Sequence, residues 1–475
     1  MHIIVCVKQL SDGQLNPFDA SALEMALGIC SGEDSVTILS MGRQEAGTML
    51  AELTRLGNNV SGVLLSDPAF AGADTYVTAR TLSAWLKRQE FSYIFCGRQS
   101  IDGETGQVGP EIAQMLGMKL VPEVMEIHRG PGNEDLEGRC RSGERIQITP
   151  GTLLTAERAV SLRFPSLWST PGQVTALDHE NLKIAQTDCG LAGSPTQVIA
   201  SYEKENRRHC RKIAPKELPE LIKELQKQKR DEVLAMQSDI MEASEADKLE
   251  QICITDPVLL EQAKNLAHSV RILETKEPEN IEEQIKREAP DAILFPADWK
   301  SRNIASRVAA RLGTGLCADC TELMADKGEL HMIRPAFGGK LFAKIRCRTR
   351  PAMATVRILP PEKDREALIF AVGKGALPWK SDIMEMAKRQ HGSIAASRGA
   401  VETGEMPYEY QVGLTGKTVA PEIYVMLGIS GAVHHVVGME TSQTVIAVNT
   451  DPDADVFDYA DYGIVCSVEE ILHYL

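Results

Sequence analysis

Residues 397–449 read SRGAVETGEMPYEYQVGLTGKTVAPEIYVMLGISGAVHHVVGMETSQTVIAVN, and three pieces of this stretch decide the fold. In QVGLTGK, Gly413 and Gly416 bracket Thr415, combining backbone with φ freedom, a hydroxyl and the nearby Lys417; loops of this kind cradle phosphates. ISGAVHHVV places Ser430 and Gly431 at the start of an apolar segment, where the free N–H groups of a helix N-terminus hold an anion. TVIAVN is a buried strand ending on Asn449, the end at which open α/β sheets meet their ligands. Spacing alone is equally served by a strand–turn–helix unit that binds nothing.

Upstream the same alternation continues. HIIVCV, SVTILS, GVLLS and YIFCG are short apolar runs separated by segments of helical period, DASALEMALGI and VTARTLSAWLKRQ. The pattern predicts a mostly parallel sheet with helices on both faces. A loop containing IDGETGQVGP follows YIFCG and opens another helix, which suits a phosphate or adenosine site, or a plain surface loop. FSYIFCG…VGPEIAQMLG has a counterpart in DAILFPADWKSRNIASRVAARLG. Each is a strand carrying Phe95 or Phe295, then a helix closed by Leu-Gly at Gly117 or Gly313. Two related domains are expected, one with an enlarged nucleotide loop. The Lys/Glu-rich stretch 203–249 predicts a charged, helical connector, and PPEKDRE marks a second boundary ahead of ALIFAVGKG. The domains are therefore expected at 1–202, 250–361 and 362–475, joined by the connector at 203–249.

The bulk composition narrows the function. Across 475 residues, 51 Lys and Arg against 66 Asp and Glu leave a net charge of −15. No basic excess is available to neutralise phosphates, so nucleic acid is not an expected partner. MHIIVCVKQL lacks the features of a signal peptide, and no apolar run reaches the roughly 18 residues of a membrane span; a cytoplasmic location without a membrane span is expected. Eleven cysteines are then expected to be reduced thiols. Cys317 and Cys320 form a lone CxxC pair, read as core residues with no metal.

The ordered motifs SR, QVGLTGK, ISGAVHH, VNTDP and ADYGIV resemble the FAD-binding domain of the α subunit of electron-transfer flavoproteins. LNPFDASALEMAL, IDGETGQVGP, RFPSL and GSPTQV resemble β-subunit motifs. RVAARLGTGLCADCTEL, RPAFGGKLFAKI and RPAMATVR resemble the first α domain, which accounts for the CADC pair. The resemblance implies a β part and an α part fused in one chain. The fold it implies is α/β, two related doubly wound (adenine-nucleotide hydrolase-like) domains plus a C-terminal Rossmann-like FAD-binding domain. The first α domain is short by one or more strand–helix units.

Carried over by motif, the resemblance implies FAD contacts at Lys374, Ser397, Arg398, Gln411, Val412, Gly413, Leu414, Thr415, Gly416, Ser430, Gly431, Ala432, Val433, His434, His435 and Asn449. The catalytic roles fall to Arg398 and His435, placing donors and charge near the isoalloxazine, and to Thr415, whose hydroxyl meets the flavin edge. Two departures touch this site: Leu414 stands for the family's Gln, and Ser467 for a frequent Asp. In the β part the implied nucleotide positions are Cys6, Asn16, Pro17, Phe18, Asp19, Met41, Gly97, Ile101, Asp102, Gly103, Glu104, Thr105, Gly106, Gln107 and Val108. Simple carriers hold AMP there, whereas electron-bifurcating members hold a second FAD. IDGETGQVGP is closer to the bifurcating loop, IDGDTAQVGP, and favours a second FAD. With FAD there, NADH becomes an expected partner and the protein an enzyme; with AMP it is a carrier. A flavin-free nucleotide-binding or sensing protein is the remaining reading. Arg163–Leu167 resembles the loop that docks on acyl-CoA dehydrogenases. The implied partner is a flavin dehydrogenase of that type or another FAD-linked oxidoreductase, with Leu167 as anchor or, in the bland alternative, a buried strand residue.

Overall fold

The computed structural model describes residues 1–475 apart from 131–134, 204–207, 228–243, 337–340, 359–364 and 414–415. The described residues form two compact units. Met1–Ser201, Glu242–Phe337 and Ala343–Val356 supply the first, and Tyr202–Met241, Gly338–Phe342 and Arg357–Leu475 the second.

Two sheets with parallel cores organise the first unit, and Glu322–Asp326 and Glu329–Ala336 pair antiparallel in a separate four-stranded sheet. Ile3, Ile4, Val5, Ile38, Leu39, Ile94 and Phe95 are fully buried, because strands covered by helices on both faces must be apolar throughout rather than alternating. The larger sheet has nine strands. Its core runs Lys119–Arg129, Thr152–Ala156, Tyr93–Gly97, His2–Cys6, Ser35–Met41, Val60–Leu65 and Val174–Leu177, each parallel to the next. The second sheet has five strands in the order Leu316–Cys320, Ala352–Val356, Ala292–Pro296, Leu249–Ile254 and Ala267–Ile272, all parallel.

The second order repeats the first five of that core, strand for strand. It lacks, among the described residues, counterparts of Val60–Leu65 and Val174–Leu177. The expected relationship between the two halves is thus written in topology, and among the described residues the second half is shorter by these two strands. The helices Val108–Leu116 and Trp299–Leu312 follow equivalent strands. Each is stopped by a left-handed glycine, Gly117 (φ 67°) and Gly313 (φ 65°), the usual helix C-terminal device. Arg307 Nε donates to Gln114 Oε1 at 3.0 Å between these two helices, and Gln107 Nε2 donates to Leu316 O at 3.2 Å.

The second unit is a six-stranded parallel sheet in the order Arg211–Lys212, Tyr462–Val465, Thr444–Asn449, Ile423–Leu427, Leu368–Val372 and Ser393–Ala396. One expectation is corrected here. Two parts of the 203–249 connector belong to this unit's fold. Arg211–Lys212 extends the sheet beside Tyr462 and Gly463, and helix Leu218–Lys227 buries Leu218 and Ile222 in the core with Ile464 and Ile471. The Lys/Glu excess of this helix is its solvated face, and its leucines are the buried stripe. Residues 228–243 lie outside the described residues.

Candidate functional site

In the second unit, the chain leaves Leu368–Val372 to build Ser393–Ala396 on one side, then crosses to build Ile423–Leu427 on the other. Such a reversal opens a crevice at the carboxyl ends of the strands, where α/β sheets take ligands. Gly373 and Gly428 end the two strands flanking this point, and a Cβ on Gly373 would collide with the Gly428 carbonyl. Only glycine lets the two chains close up here.

The expected residues gather at that edge. Lys374 follows the first strand, Ser397 and Arg398 the second, Ser430 the third, and Asn449 ends the fourth. Ser397 caps the short helix Arg398–Val401, its Oγ accepting from Ala400 N at 3.3 Å. Arg398 Nε donates to Glu402 Oε1 at 2.8 Å. Asn449 Nδ2 donates to Ile429 O at 2.9 Å, tying its amide to the Ser430 segment. Gly431 sits at φ 98° against the backbone of Val456. Val412 N donates to Ala396 O at 3.0 Å, which brings the QVGLTGK loop beside Ser397; Gly416 N closes it onto Gly413 O at 3.0 Å. Gln411 is buried, and Val433 and His434 are half-buried beside the exposed Ala432. Leu414 and Thr415 lie outside the described residues.

His435 is held differently from the expectation. It is buried, its Nδ1 lies 3.2 Å from Val412 O and its Nε2 3.0 Å from Tyr424 Oη. A carbonyl only accepts, so Nδ1 carries the proton and Nε2 accepts from the tyrosine. Burial pushes its pKa down to about 4, so the ring is neutral at ordinary pH. His435 brings no positive charge; it joins the strand bearing Tyr424 to the QVGLTGK loop. Tyr424 was not singled out in the sequence. A lone tyrosine in the apolar run IYVML was the available signal, since a buried phenol needs a partner.

The implied N-terminal positions also converge. Cys6, Met41 and Gly97 end three neighbouring strands, and the chain reverses between the strands ending at Cys6 and Gly97. Pro17 opens helix Pro17–Ile29, which buries Phe18 and Asp19. Asp19 accepts from Lys8 N at 2.7 Å and from Gly97 N at 3.1 Å, and burial raises its pKa to about 7 despite those donors. Asn16 Nδ2 donates to Gln99 O at 2.9 Å. In the loop, Lys8 Nζ pairs with Asp102 at 2.7 Å, Ile101 is exposed, Gly103, Thr105, Gly106 and Val108 are half-buried, and Glu104 and Gln107 are buried. Gln107 Oε1 accepts from Thr75 Oγ1 at 2.7 Å. Among the described residues, Asn16 Oδ1 and Ser40 Oγ are buried without a hydrogen-bonding partner. Buried polar atoms are seldom left so, and these two fit a polar ligand such as a nucleotide. At the C-terminal crevice the donor set of Lys374, Arg398, Ser397 and Asn449 suits a dinucleotide with an anionic pyrophosphate.

Phe164, Leu167 and Trp168 are 95%, 90% and 92% exposed, so the bland reading of Leu167 as a buried strand residue is set aside. Cys317 and Cys320 are buried, and no group of three metal-ligating side chains forms among the described residues. Among the same residues, no helix is long and apolar enough to cross a membrane.

A family model described as the electron transfer flavoprotein domain matches residues 3–137 and 256–368. A second, the electron transfer flavoprotein FAD-binding domain, matches residues 364–440. The chain is similar to Protein FixB of Clostridium saccharobutylicum, 38% identical over 46% of this chain and 77% of that protein. It is also similar to the electron transfer flavoprotein subunit beta of Thermoanaerobacterium thermosaccharolyticum, 34% identical over 44% of this chain and 90% of that subunit. A further relative is the lactate dehydrogenase (NAD(+),ferredoxin) subunit LctC of Acetobacterium woodii, 34% identical over 40% of this chain and 56% of that subunit.

Proposed function

The chain belongs to the electron transfer flavoprotein family, with its β-like and α-like parts fused, and we propose that it works with two flavins, one in each nucleotide site. FAD held at the strand ends of the second unit would supply one- and two-electron chemistry between a flavin dehydrogenase and an acceptor. Arg398 and Lys374 hold positive charge at the strand ends and orient the anionic cofactor. Ser397 and Asn449 fix its register, and the neutral His435, clamped between Tyr424 and Val412 O, keeps the QVGLTGK loop in place.

The observation that carries the two-flavin reading is the IDGETGQVGP loop beside the buried, unpartnered Asn16 Oδ1. Gly103 and Gly106 leave room that larger side chains would take. A relative named as a subunit of an NAD(+),ferredoxin-linked dehydrogenase supports NADH as a source of electron pairs that the two sites divide. The protein is then a cytoplasmic enzyme rather than only a carrier. The exposed Phe164, Leu167 and Trp168 favour a dehydrogenase partner docking on that loop.

The test is the nucleotide released on denaturing the purified full chain, separated chromatographically. Two FAD per chain is the expected result, with NADH bleaching the flavin absorbance. One FAD and one AMP overturns the bifurcating reading in favour of a simple carrier. A colourless protein removes the flavin reading altogether.

A further inference from the structure

Arg334 lies on strand Glu329–Ala336 of the four-stranded sheet, between the strands Leu316–Cys320 and Ala352–Val356 of the second α/β half in sequence. Its residue is only 6% exposed. A guanidinium cannot shed its charge at this depth, so it needs a counter-charge or dense hydrogen bonding. Its hydrogen bonds run to two backbone carbonyls, Nη2 to Gly103 O at 2.8 Å and Nε to Pro335 O at 3.2 Å. No carboxylate among the described residues forms an ion pair with it. Gly103 stands in the IDGETG loop of the other half, 231 residues away in sequence.

That loop is shaped to receive a ligand. Glu104 and Gly106 both take left-handed backbone, φ 54° and 66°. Backbone turned this way can aim successive N–H groups at an anion. Asn16, bonded to the same loop through Gln99 O, leaves its Oδ1 buried and, among the described residues, unpartnered. Glu104 in the same loop is buried, yet among the described residues it forms no ion pair with Arg334, and a buried cation held only by carbonyls calls for further negative charge.

We propose that Arg334 completes the N-terminal nucleotide site from the second α/β half, and that its counter-charge is an anionic group of the bound nucleotide. The inference rests on the reading that this site holds a nucleotide. It makes the site composite, with the loop and Asn16 from one half and the cation from the other.

The test uses the full chain with its C-terminal site saturated with FAD and the N-terminal site stripped of nucleotide, titrated by calorimetry with adenosine, AMP and FAD. Arg334→Gln keeps a donor for Gly103 O and removes the charge; Arg334→Lys keeps the charge. AMP is expected to bind Arg334→Gln roughly ten- to a hundredfold more weakly than wild type, with adenosine unchanged and Arg334→Lys retaining most of the affinity. If only FAD binding falls in Arg334→Gln and Arg334→Lys restores it, the counter-charge is the flavin-side phosphate that AMP lacks, and the proposal stands. Wild-type affinity in Arg334→Gln for every probe overturns it. So does an equal loss in both variants that includes adenosine, because Arg334 is then a strut for the loop. Wild-type protein that binds none of the three at this site removes the underlying reading as well. Circular dichroism and the urea midpoint of each variant report that the first unit is folded, independently of the flavin held by the second.

Discussion

Glu123 and Asp319 hold the same place in two different sheets. Each is a side-chain-bearing residue in left-handed backbone, φ 56° and 60°. Each donates its N–H to a threonine hydroxyl, Thr155 Oγ1 at 3.1 Å and Thr355 Oγ1 at 2.8 Å. Each faces an arginine, Arg98 at 3.9 Å and Arg302 at 2.6 Å, and both sit where strand register slips. Non-glycine residues take this conformation only where the surroundings compel it. Its recurrence, with threonine and arginine alike, marks the two halves as copies of one design more sharply than their helices do.

The Asp319–Arg302 pair supports a stability prediction. Asp319 is almost wholly buried, so Asp319→Ala takes the carboxylate from Arg302, which keeps its bond to Ala297 O, and should cost about 3 kcal/mol. Asp319→Asn keeps a residue type that tolerates left-handed backbone and should cost about half as much. Urea unfolding of the full chain decides; an alanine variant within about 0.5 kcal/mol of wild type would mean the pair is not holding the bulge.

Asp19 makes stability depend on pH. Its folded pKa, about 7, lies above the ordinary 3.8 because of burial. Between those values the folded chain binds the extra proton, so this group's stabilising contribution is complete below about pH 4 and lost as pH rises to 7. Asp19→Asn should flatten that part of the stability profile, measured by urea midpoints from pH 4.5 to 8. An unchanged slope would falsify the assignment.

Tyr424→Phe removes the only donor to His435 Nε2 among the described residues while leaving the ring packed. A buried acceptor left unmatched costs about 1–3 kcal/mol, and the QVGLTGK loop should loosen with it, weakening FAD retention severalfold on dilution. In wild-type protein, the His435 ring resonances should stay in the neutral position from pH 8 down to about 5, given a pKa near 4. Titration near pH 6.5 would show that burial does not control this histidine.

Gly373→Ala forces a methyl into the Gly428 carbonyl at the strand crossover. Backbone must move, at a cost of about 3 kcal/mol or more, and the crevice is where it moves. The purified variant should lose bound flavin colour before it loses helical circular dichroism. Full retention of both would show that the crevice tolerates the shift.

Leu167→Asp should leave stability within about 0.5 kcal/mol of wild type, because the side chain is exposed. Electron transfer from a flavin dehydrogenase partner should slow at least tenfold, as expected of an anchor residue. An equal rate in stopped-flow mixing would locate docking elsewhere.

Much of this was legible in the sequence. Apolar runs such as YIFCG and TVIAVN could only be doubly covered strands. The glycine-bearing segments QVGLTGK and ISGAVHH gave the crevice because its backbone needs are local. Helix 218–227 was harder, since its charged face outnumbers the leucines that bind it to a distant sheet. The inward turn of His435 was not visible, because it depends on Tyr424 eleven residues earlier in another element. Glu123, Asp319 and Arg334 escaped for the same reason. Their meaning lies in partners brought together by topology, and a lone charged residue in an apolar strand gives only a hint.

Strand Arg211–Lys212 and helix 218–227 carry a consequence for synthesis. They emerge from the ribosome about 140 residues before the strand Leu368–Val372, yet Leu218 and Ile222 are buried only in the core that this later strand helps to form. During translation the nascent chain must hold these leucine-bearing segments without their sheet while the second α/β half is made. A fragment begun at residue 362 would lack its edge strand and expose the apolar floor beneath Ile464. Limited proteolysis that releases a stable C-terminal piece should therefore leave residues 211–227 attached to it non-covalently.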